Sequence, residues 1–138
     1  MTETALQQPA GQPKAKHFVG RLLAAFRNSF AGYRHAIATE SAIREELLAL
    51  ILLVPVSLVM PVSQVEHLLL LLSLLLVILV ELVNTAIEAT VDRISLERHP
   101  LAGQAKDLGS AAVFTALLMA GLTWTMIAGP IVMRWWRG

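Results

Sequence analysis

Residues 66–95 read EHLLLLLSLLLVILVELVNTAIEATVDRIS, an apolar run that continues directly into a more polar one. Because neither Gly nor Pro occurs between Pro61 and Pro100, a single helix can extend through both parts. At about 1.5 Å per residue such a helix would be about 45 Å long, whereas the hydrocarbon core of a bilayer is about 30 Å thick. We therefore predict a membrane-spanning helix, from about residue 65 to residue 95, whose last turns leave the membrane.

The composition of the whole chain is that of a small integral membrane protein. Of its 138 residues, 56% are hydrophobic and only 15% are charged, whereas soluble domains carry about 25% charged residues. The chain lacks the glycine-rich phosphate loops of soluble nucleotide-binding folds, and its net charge is +1 without a dense basic run. The absence of cysteine excludes disulfides and thiolate catalysis. These features exclude a soluble nucleotide-binding fold and give no support to nucleic-acid binding.

Two further spans and a surface helix complete the predicted architecture. The first span contains Pro55, and the last ends at the pair Trp135 and Trp136, which is typical of a membrane interface. From Phe18 onward, apolar side chains recur at spacings of three and four with basic residues on the other faces. This pattern predicts an amphipathic helix on an anionic membrane surface. The predicted fold is an all-α integral membrane protein with a disordered tail (1–13) and one membrane domain (14–138), which holds a surface helix (about 16–38) and three spans (about 43–62, 65–95 and 107–133).

The distribution of Lys and Arg predicts the orientation in the membrane. Six precede the apolar part of the first span, which starts at Leu47, none lies between the first and second spans, three lie between the second and third, and two follow the third. Since cytoplasmic loops are enriched in basic residues, the N-terminus and the loop after the second span should face the cytoplasm. The C-terminus should then face the opposite side.

Polar side chains form one stripe on the cytoplasmic half of the second span. Glu81, Asn84, Glu88 and Asp92 fall within about 80° of arc around a helix. For Asp92, simple exposure to the cytoplasm is a sufficient explanation. Glu81 directly follows the leucine-rich run, where a carboxylate costs about 2.5 to 3.5 kcal/mol to insert and is usually functional. We interpret Glu81 as a candidate general base.

Two other charged clusters are predicted on the same side of the membrane. The first lies just before the first span and contains Glu40, Glu45 and Glu46 around Arg44. These carboxylates can form ordinary surface salt bridges, or one of them can join a Glu of the stripe in binding Mg²⁺, which prefers one or two carboxylates plus substrate phosphates. The second cluster contains residues that can hold phosphate or merely follow the positive-inside rule: Glu97, Arg98, His99, Lys106 and Asp107. The spacing alone therefore predicts carboxylates and cations at the cytoplasmic interface, consistent with metal-assisted phosphate chemistry.

Several of these segments together resemble a known family. Residues 40–46 read ESAIREE, residues 81–93 read ELVNTAIEATVDR, residues 97–101 read ERHPL, and residues 105–113 read AKDLGSAAV. These motifs resemble the signature of the prokaryotic diacylglycerol kinases. The resemblance extends from about Arg21 to Trp124 and leaves only the N-terminal tail outside.

The resemblance implies a homotrimeric enzyme of the bacterial inner membrane with three transmembrane helices and an N-terminal surface helix. Such an enzyme transfers the γ-phosphate of MgATP to the hydroxyl of diacylglycerol and forms phosphatidic acid. By the same resemblance, Glu81 would accept the proton of the lipid hydroxyl, and Glu40 and Glu88 would bind Mg²⁺ together with ATP. Asn84 and Asp92 would support the site. The implied nucleotide contacts are Arg21, Asn28, Glu40, Glu88, Glu97, Arg98, His99, Lys106 and Asp107.

The implied lipid contacts form a second set on all three spans. They are Arg21, Ala42, Ile43, Arg44, Glu45, Glu46, Val59, Met60, Pro61, Val62, His67, Glu81 and Ser110. Two alternatives remain open. Residues 84–86 and 99–101 also resemble segments of the related undecaprenol kinases, whereas the Gly109-Ser110 pair resembles the diacylglycerol form. A small membrane protein with an ion or proton path is the non-enzymatic alternative, although residues 68–80 offer such a path only Ser73.

Overall fold

The computed structural model describes residues 14–94 and 99–138, with side chains from residue 18 onward. These residues form four α-helices and no strand: α1 (Lys14–Thr39), α2 (Ser41–Val59), α3 (Gln64–Ile94) and α4 (Pro100–Trp136). The prediction of an all-α fold is confirmed. Residues 1–13, predicted to be a disordered tail, lie outside the described residues. The chain divides after His35 into two compact units, which are described separately.

The first unit contains most of α1, which spans the range predicted for the surface helix. Its aromatic side chains are largely exposed, with Phe18 at 65%, Phe26 at 58% and Phe30 at 75% of full accessibility. Basic residues such as Arg27 occupy other faces of the same helix. The exposed apolar stripe is unfavourable in water and favourable against the apolar part of a membrane. The helix therefore has the amphipathic pattern from which a membrane-surface position was predicted.

The second unit begins with the last turn of α1, whose end is capped by a side chain of α2. Arg44 Nη1 donates to the carbonyl oxygens of Ile37, at 2.9 Å, and Ala38, at 3.5 Å. The Glu40 N–H donates to the Ala36 carbonyl at 2.8 Å. A guanidinium at this position satisfies carbonyls that the helix leaves unpaired and opposes its negative end. The cap therefore joins the end of α1 to the first turn of α2, directly after Glu40.

α3 is a single helix of 31 residues, as the absence of Gly and Pro predicts. Its start is a capping box: Ser63 N–H and Oγ–H both donate to Glu66 Oε2 at 2.7 Å, and Glu66 N–H donates to Ser63 Oγ at 3.3 Å. The buried face of α3 repeats at helical spacing and continues from apolar to polar residues: Leu70, Ser73, Leu74, Val77, Ile78, Glu81 and Asn84.

α3 packs against both α2 and α4. Its Val77 forms a core cluster with Ala116 and Ala120 of α4. The third buried residue of α4 is Gly109, so the buried positions of this helix are all small. Small residues allow two helix backbones to approach closely, which is how helices associate in a medium that offers no hydrophobic driving force between them.

Buried hydroxyl groups in these apolar helices are satisfied within their own helix. Ser73 Oγ donates to the Leu70 carbonyl at 2.8 Å, and Ser57 Oγ donates to the Val54 carbonyl at 2.9 Å. Such bonds to the preceding turn remove the cost of placing a hydroxyl where water is absent. The serines in the apolar runs are therefore compatible with a membrane environment.

Two helices, α3 and α4, are long and apolar enough to cross a membrane. The prediction of three spans is thus confirmed only in part. α2 carries Arg44, Glu45 and Glu46 close to its start. Its apolar part, from residue 47 to residue 59, extends only about 20 Å at about 1.5 Å per residue, which is less than the hydrocarbon core of about 30 Å.

α4 begins earlier than the predicted third span, at residue 100 instead of about 107. Pro100 occupies the first helical turn, where its missing N–H costs nothing, and His99 Nδ1 accepts from the Leu101 N–H at 3.2 Å. The helix then continues through Gly103, which precedes the predicted start of the third span. Lys106 and Asp107 therefore lie on a helix, in its second turn.

Candidate active site

A cavity of about 480 Å³ opens between α2, α3 and α4. Its lining contains both apolar and polar residues, and the polar residues come from all three helices. The lining residues are Ala42, Glu45, Glu46 and Ala49 of α2, Glu81 and Asn84 of α3, and Ser110, Val113 and Leu117 of α4. The cavity therefore offers both polar and apolar side chains to a ligand. This is the kind of surface that an amphipathic ligand requires.

Glu81 is the carboxylate at the centre of this site. It is 6% exposed and continues the buried face of α3 directly after Ile78 and Val77. Its neighbours include other carboxylates, because Glu46, Glu88 and Glu40 all lie close enough for Coulombic repulsion with it. Three further carboxylates in range of one buried carboxylate are unfavourable by themselves, and a positively charged partner would relieve the repulsion.

Glu46 is the second carboxylate that lines the cavity. Its Oε2 atom is buried and has no hydrogen-bond partner among the residues that the structure describes. A buried polar atom of this kind costs free energy and calls for a functional explanation. The sequence analysis placed Glu46 among the lipid contacts, and the cavity brings it to the same space as Glu81.

Asn84 connects the cavity to Glu88. The side chain is 8% exposed, and its Nδ2 donates to Glu88 Oε1 at 3.2 Å. Its Oδ1 is buried without a hydrogen-bond partner among the described residues and lies against Gly109 of α4. The sequence analysis did not identify Gly109 as a site residue. In the sequence, Gly109 was recognisable only as a glycine inside a helical pattern. Such a glycine can indicate that another residue packs closely against the helix, but the pattern does not identify that residue.

Lys106 and Asp92 join α4 to α3 beside this group. Lys106 Nζ lies 2.6 Å from Asp92 Oδ1 in a salt bridge whose side chains are 38% and 53% exposed. Lys106 is also close enough to Glu88 for Coulombic attraction. Because the pair is solvent-exposed, its contribution to stability is small. The ammonium group is therefore available to an anionic ligand near Glu88.

The other predicted nucleotide contacts are distributed as follows. Asp107 is exposed on α4 beside Lys106, and His99 is the N-cap of that helix. Arg21 and Asn28 lie on α1 in the first unit, and Glu97 and Arg98 lie outside the described residues. The roles of these residues stay predictions.

The structure brings together one part of the predicted lipid contacts and separates the rest. Ala42, Glu45, Glu46, Glu81 and Ser110 line the cavity. Two others on α2 have different surroundings: Ile43 is fully buried, and Arg44 caps α1. His67 lies in the first turn of α3, about 21 Å along the helix from Glu81 at about 1.5 Å per residue, with its Nδ1 3.0 Å from the Ser63 carbonyl oxygen. At the same end, Val59 is the last residue of α2, and Met60, Pro61 and Val62 lie between α2 and α3.

The residues around Glu81 fit Mg²⁺ in the form that nucleotides carry it. Within the residues that the structure describes, no cluster of three or more His, Asp or Glu side chains could enclose a metal ion. Glu40 and Glu88 nevertheless both lie within Coulombic range of Glu81. Mg²⁺ is commonly bound by one or two carboxylates plus phosphate oxygens. These two side chains could supply the carboxylates, and a nucleotide could supply the phosphate oxygens.

A family model described as prokaryotic diacylglycerol kinase matches residues 27–128. The chain belongs to this family. It is 49% identical over 107 residues to a diacylglycerol kinase of Pseudomonas aeruginosa, an alignment that covers 78% of this chain and 87% of the relative. It is 43% identical over 107 residues to a diacylglycerol kinase of Escherichia coli, covering 78% and 88%. A diacylglycerol kinase of Haemophilus influenzae is 41% identical over 103 residues, covering 75% and 87%.

Membership of the prokaryotic diacylglycerol kinase family confirms the resemblance found in the sequence and identifies the chain as an enzyme, a lipid kinase. The matched range includes the whole cavity and also Glu40, Glu88, Asp92 and Lys106. Arg21 precedes the matched range. The membrane-spanning character of α3 and α4 agrees with a kinase that acts on lipid.

Proposed function

We propose that this protein transfers the γ-phosphate of MgATP to the free hydroxyl of diacylglycerol at the cytoplasmic face of the bacterial inner membrane. The observation that carries this proposal is the burial of Glu81 in a cavity with an apolar wall, surrounded by carboxylates and close to a helix end that bears Lys106. Diacylglycerol is an amphipathic substrate whose hydroxyl lies at the headgroup level. A base at the inner end of a span can therefore reach it while ATP approaches from the cytoplasm.

Glu81 is the proposed proton acceptor. In the reaction, the lipid hydroxyl oxygen forms a bond to the γ-phosphorus, and the bond from that phosphorus to the β,γ-bridging oxygen breaks. The hydroxyl proton goes to a Glu81 carboxylate oxygen, and ADP leaves. Phosphoryl transfer depends mainly on alignment and on charge neutralisation, so a small membrane domain is sufficient for it.

Glu40 and Glu88 are the proposed Mg²⁺ ligands. When bound with the nucleotide, the ion would neutralise negative charge on the phosphates. Their Coulombic range to Glu81 supports this assignment, because the metal would then lie near the transferred group. The remaining proposed nucleotide contacts are Arg21, Asn28, Glu97, Arg98, His99, Lys106 and Asp107.

The cavity supports a division of the lipid contacts into two groups. Ala42, Glu45, Glu46 and Ser110 would surround the glycerol and the start of the acyl chains, because they line the cavity with Glu81. The residues at the far end, from Val59 to Val62 and His67, would meet the acyl chains at greater depth. Ile43, which is fully buried, and Arg44, which caps α1, would contribute to the lipid site from the first turn of α2.

The proposed assembly is a homotrimer in which each chain crosses the membrane three times with a cytoplasmic N-terminus. For α2 to span, flanking residues up to Val62 must join its apolar part. The distribution of Lys and Arg supports the orientation, and largely exposed apolar faces on α2 and α4 support contact with lipid or with further copies of the chain.

Undecaprenol is the alternative acceptor, favoured by the likeness of residues 84–86 and 99–101 to undecaprenol kinases. Gly109 and Ser110 favour diacylglycerol, as do the relatives from three bacteria that are diacylglycerol kinases. Both acceptors present one hydroxyl at the membrane surface, so the proposed chemistry is the same. The non-enzymatic ion path loses its support, since the chain belongs to a kinase family.

The test is transfer of labelled γ-phosphate from MgATP by the purified protein in mixed micelles, with diacylglycerol and undecaprenol offered separately. We expect diacylglycerol to be the better substrate. Removal of Mg²⁺ with a chelator should stop the reaction. Preference for undecaprenol would replace the proposed substrate, and absence of transfer to both lipids would contradict the proposed function.

The same assay tests Glu81. Glu81→Gln retains the shape of the side chain but removes the base, so we expect the rate to fall by at least about 100-fold, in the usual range for general-base catalysis. Glu66→Gln is the matched control, because it makes the same change on the same helix, and Gln also serves at this position of a capping box. Full activity of the folded Glu81→Gln variant would show that another group accepts the proton.

A further inference from the structure

α4 approaches the Asn84 side chain of α3 closely at Gly109, beside the cavity. A Cβ atom built on this glycine would overlap Asn84 Oδ1 and would lie 3.3 Å from Asn84 Cγ. Gly103 and Gly121, on the same helix, have no atom within 4 Å of the corresponding position. The lack of a side chain is therefore required at Gly109 and at neither of the other two. Only a residue without Cβ leaves room for the Asn84 amide there.

The Asn84 amide is held between two neighbours. On one side, Oδ1 lies against Gly109, buried and without a hydrogen-bond donor among the described residues. On the other side, Nδ2 donates to Glu88 Oε1 at 3.2 Å. A donor is the correct partner for a carboxylate, so the amide can face Glu88 in only one orientation. That orientation directs Oδ1 towards α4.

We propose that Gly109 is a positioning residue for the nucleotide-metal site and acts through the Asn84 amide on the Glu88 carboxylate. The inference rests on the proposed role of Glu88 in binding Mg²⁺ with ATP. Gly109 gives the amide its place, and the amide holds one carboxylate oxygen so that the other remains directed towards the metal. Outer partners of a metal ligand orient it in this way, and their loss typically costs about 10- to 100-fold in metal affinity or activity.

A methyl group at position 109 should disturb the ligand more than the fold. The atom that it meets is the end of a side chain, which can rotate away, and no backbone atom of α3 lies among the nearest contacts. Rotation of the amide breaks the bond to Glu88 and leaves the two helices in place. The predicted consequence is a rise in KM for MgATP and in the Mg²⁺ requirement with a smaller change in kcat. A purely structural defect would instead lower the amount of active enzyme and leave KM unchanged.

The kinetic test compares Gly109→Ala with Gly121→Ala, which makes the same change on α4 where there is open space. We expect KM for MgATP to rise at least about tenfold in the first variant and to stay at the wild-type value in the second. Glu88→Ala is measured alongside. If Glu88→Ala raises KM and Gly109→Ala does not, the inference is wrong while the proposed metal role of Glu88 stands. If Glu88→Ala retains the wild-type KM, both are wrong.

A second measurement does not depend on activity. The midpoint of unfolding in mixed micelles is determined for Gly109→Ala, Asn84→Ala and the double variant. Because the three atoms nearest to the added methyl group all belong to the Asn84 side chain, Gly109→Ala should lower the midpoint when Asn84 is present and leave it nearly unchanged when residue 84 is Ala. Additive effects of the two substitutions would overturn the inference, and this comparison holds even if the single Gly109→Ala variant is too unstable for kinetics.

Discussion

At the scale of single residues, the main feature of the site is that its negatively charged side chains outnumber the positively charged ones. Glu81 is buried beside Glu46, Glu40 and Glu88, and Lys106 is the nearby cation on α4 for which a contact is described. Each carboxylate raises the cost of ionising the next, and a ligand that supplies positive charge would lower that cost. MgATP brings a divalent cation and also an anion for Lys106. A ligand that carries both positive and negative charge is therefore the one that we propose for this site.

Lys106 gives a prediction at this scale. Lys106→Gln should raise KM for MgATP about tenfold, because a charge-assisted hydrogen bond to phosphate contributes about 1.5 to 3 kcal/mol and about 1.4 kcal/mol corresponds to a factor of ten. The thermal midpoint should hardly change, since the bond to Asp92 is exposed. The measurement is steady-state kinetics with varied MgATP. Lys106→Arg, which keeps the charge, is the control, and an unchanged KM in Lys106→Gln would remove this residue from the nucleotide site.

At the scale of elements, the helix ends determine where the charged side chains lie. The capping box of Ser63 and Glu66 starts α3 within one residue of the predicted position, so the buried face is in register from Leu70 to Asn84. His99 and Pro100 start α4 several residues earlier than predicted, so Lys106 lies in its second turn. The difference from the sequence prediction arises because capping by His is a weak pattern, whereas S-x-x-E is a strong one.

The start of α3 gives a prediction about stability. Ser63→Ala removes the hydroxyl that accepts from Glu66 N–H and donates to its carboxylate, so the free energy of unfolding should fall by about 1 kcal/mol. Ser63→Thr keeps a hydroxyl and should fall much less. The measurement is equilibrium unfolding in mixed micelles. Equal stability of the alanine and threonine variants would show that the cap contributes nothing in the membrane setting.

At the scale of the whole molecule, the open question of topology has a direct test because the chain contains no cysteine. α3 and α4 are apolar enough to cross a membrane, and α2 crosses only if its flanking residues join it. With three spans the N-terminus and the segment between α2 and α3 lie on opposite sides. With two spans they lie on the same side.

Single-cysteine variants distinguish these arrangements. We expect Gln64→Cys, between the first two spans, and Gly138→Cys both to react in intact cells with a membrane-impermeant maleimide from outside, whereas Thr4→Cys should react only after lysis. The reason is the positive-inside rule applied to three spans. Protection of Gly138→Cys together with Thr4→Cys in intact cells would indicate an even number of crossings.

The sequence by itself determined the features that depend on one helix at a time. Uninterrupted apolar residues gave α3 its length, and the 3.6-residue period placed Glu81, Asn84 and Glu88 on one face, because these properties are local. Its motifs also indicated the family, which the comparisons confirmed. The short apolar part of α2 could also be read from the sequence, whereas the early start of α4 was harder to predict because it depends on a weak cap.

Only the tertiary structure decided which helices face each other and at what distance. It brought Glu46 of α2 and Ser110 of α4 to the same cavity as Glu81, and it separated that cavity from His67 and from the residues between α2 and α3. It also showed that Gly109 leaves room for Asn84. Contacts between helices follow from the fit of whole surfaces, and no spacing along a single chain segment encodes them.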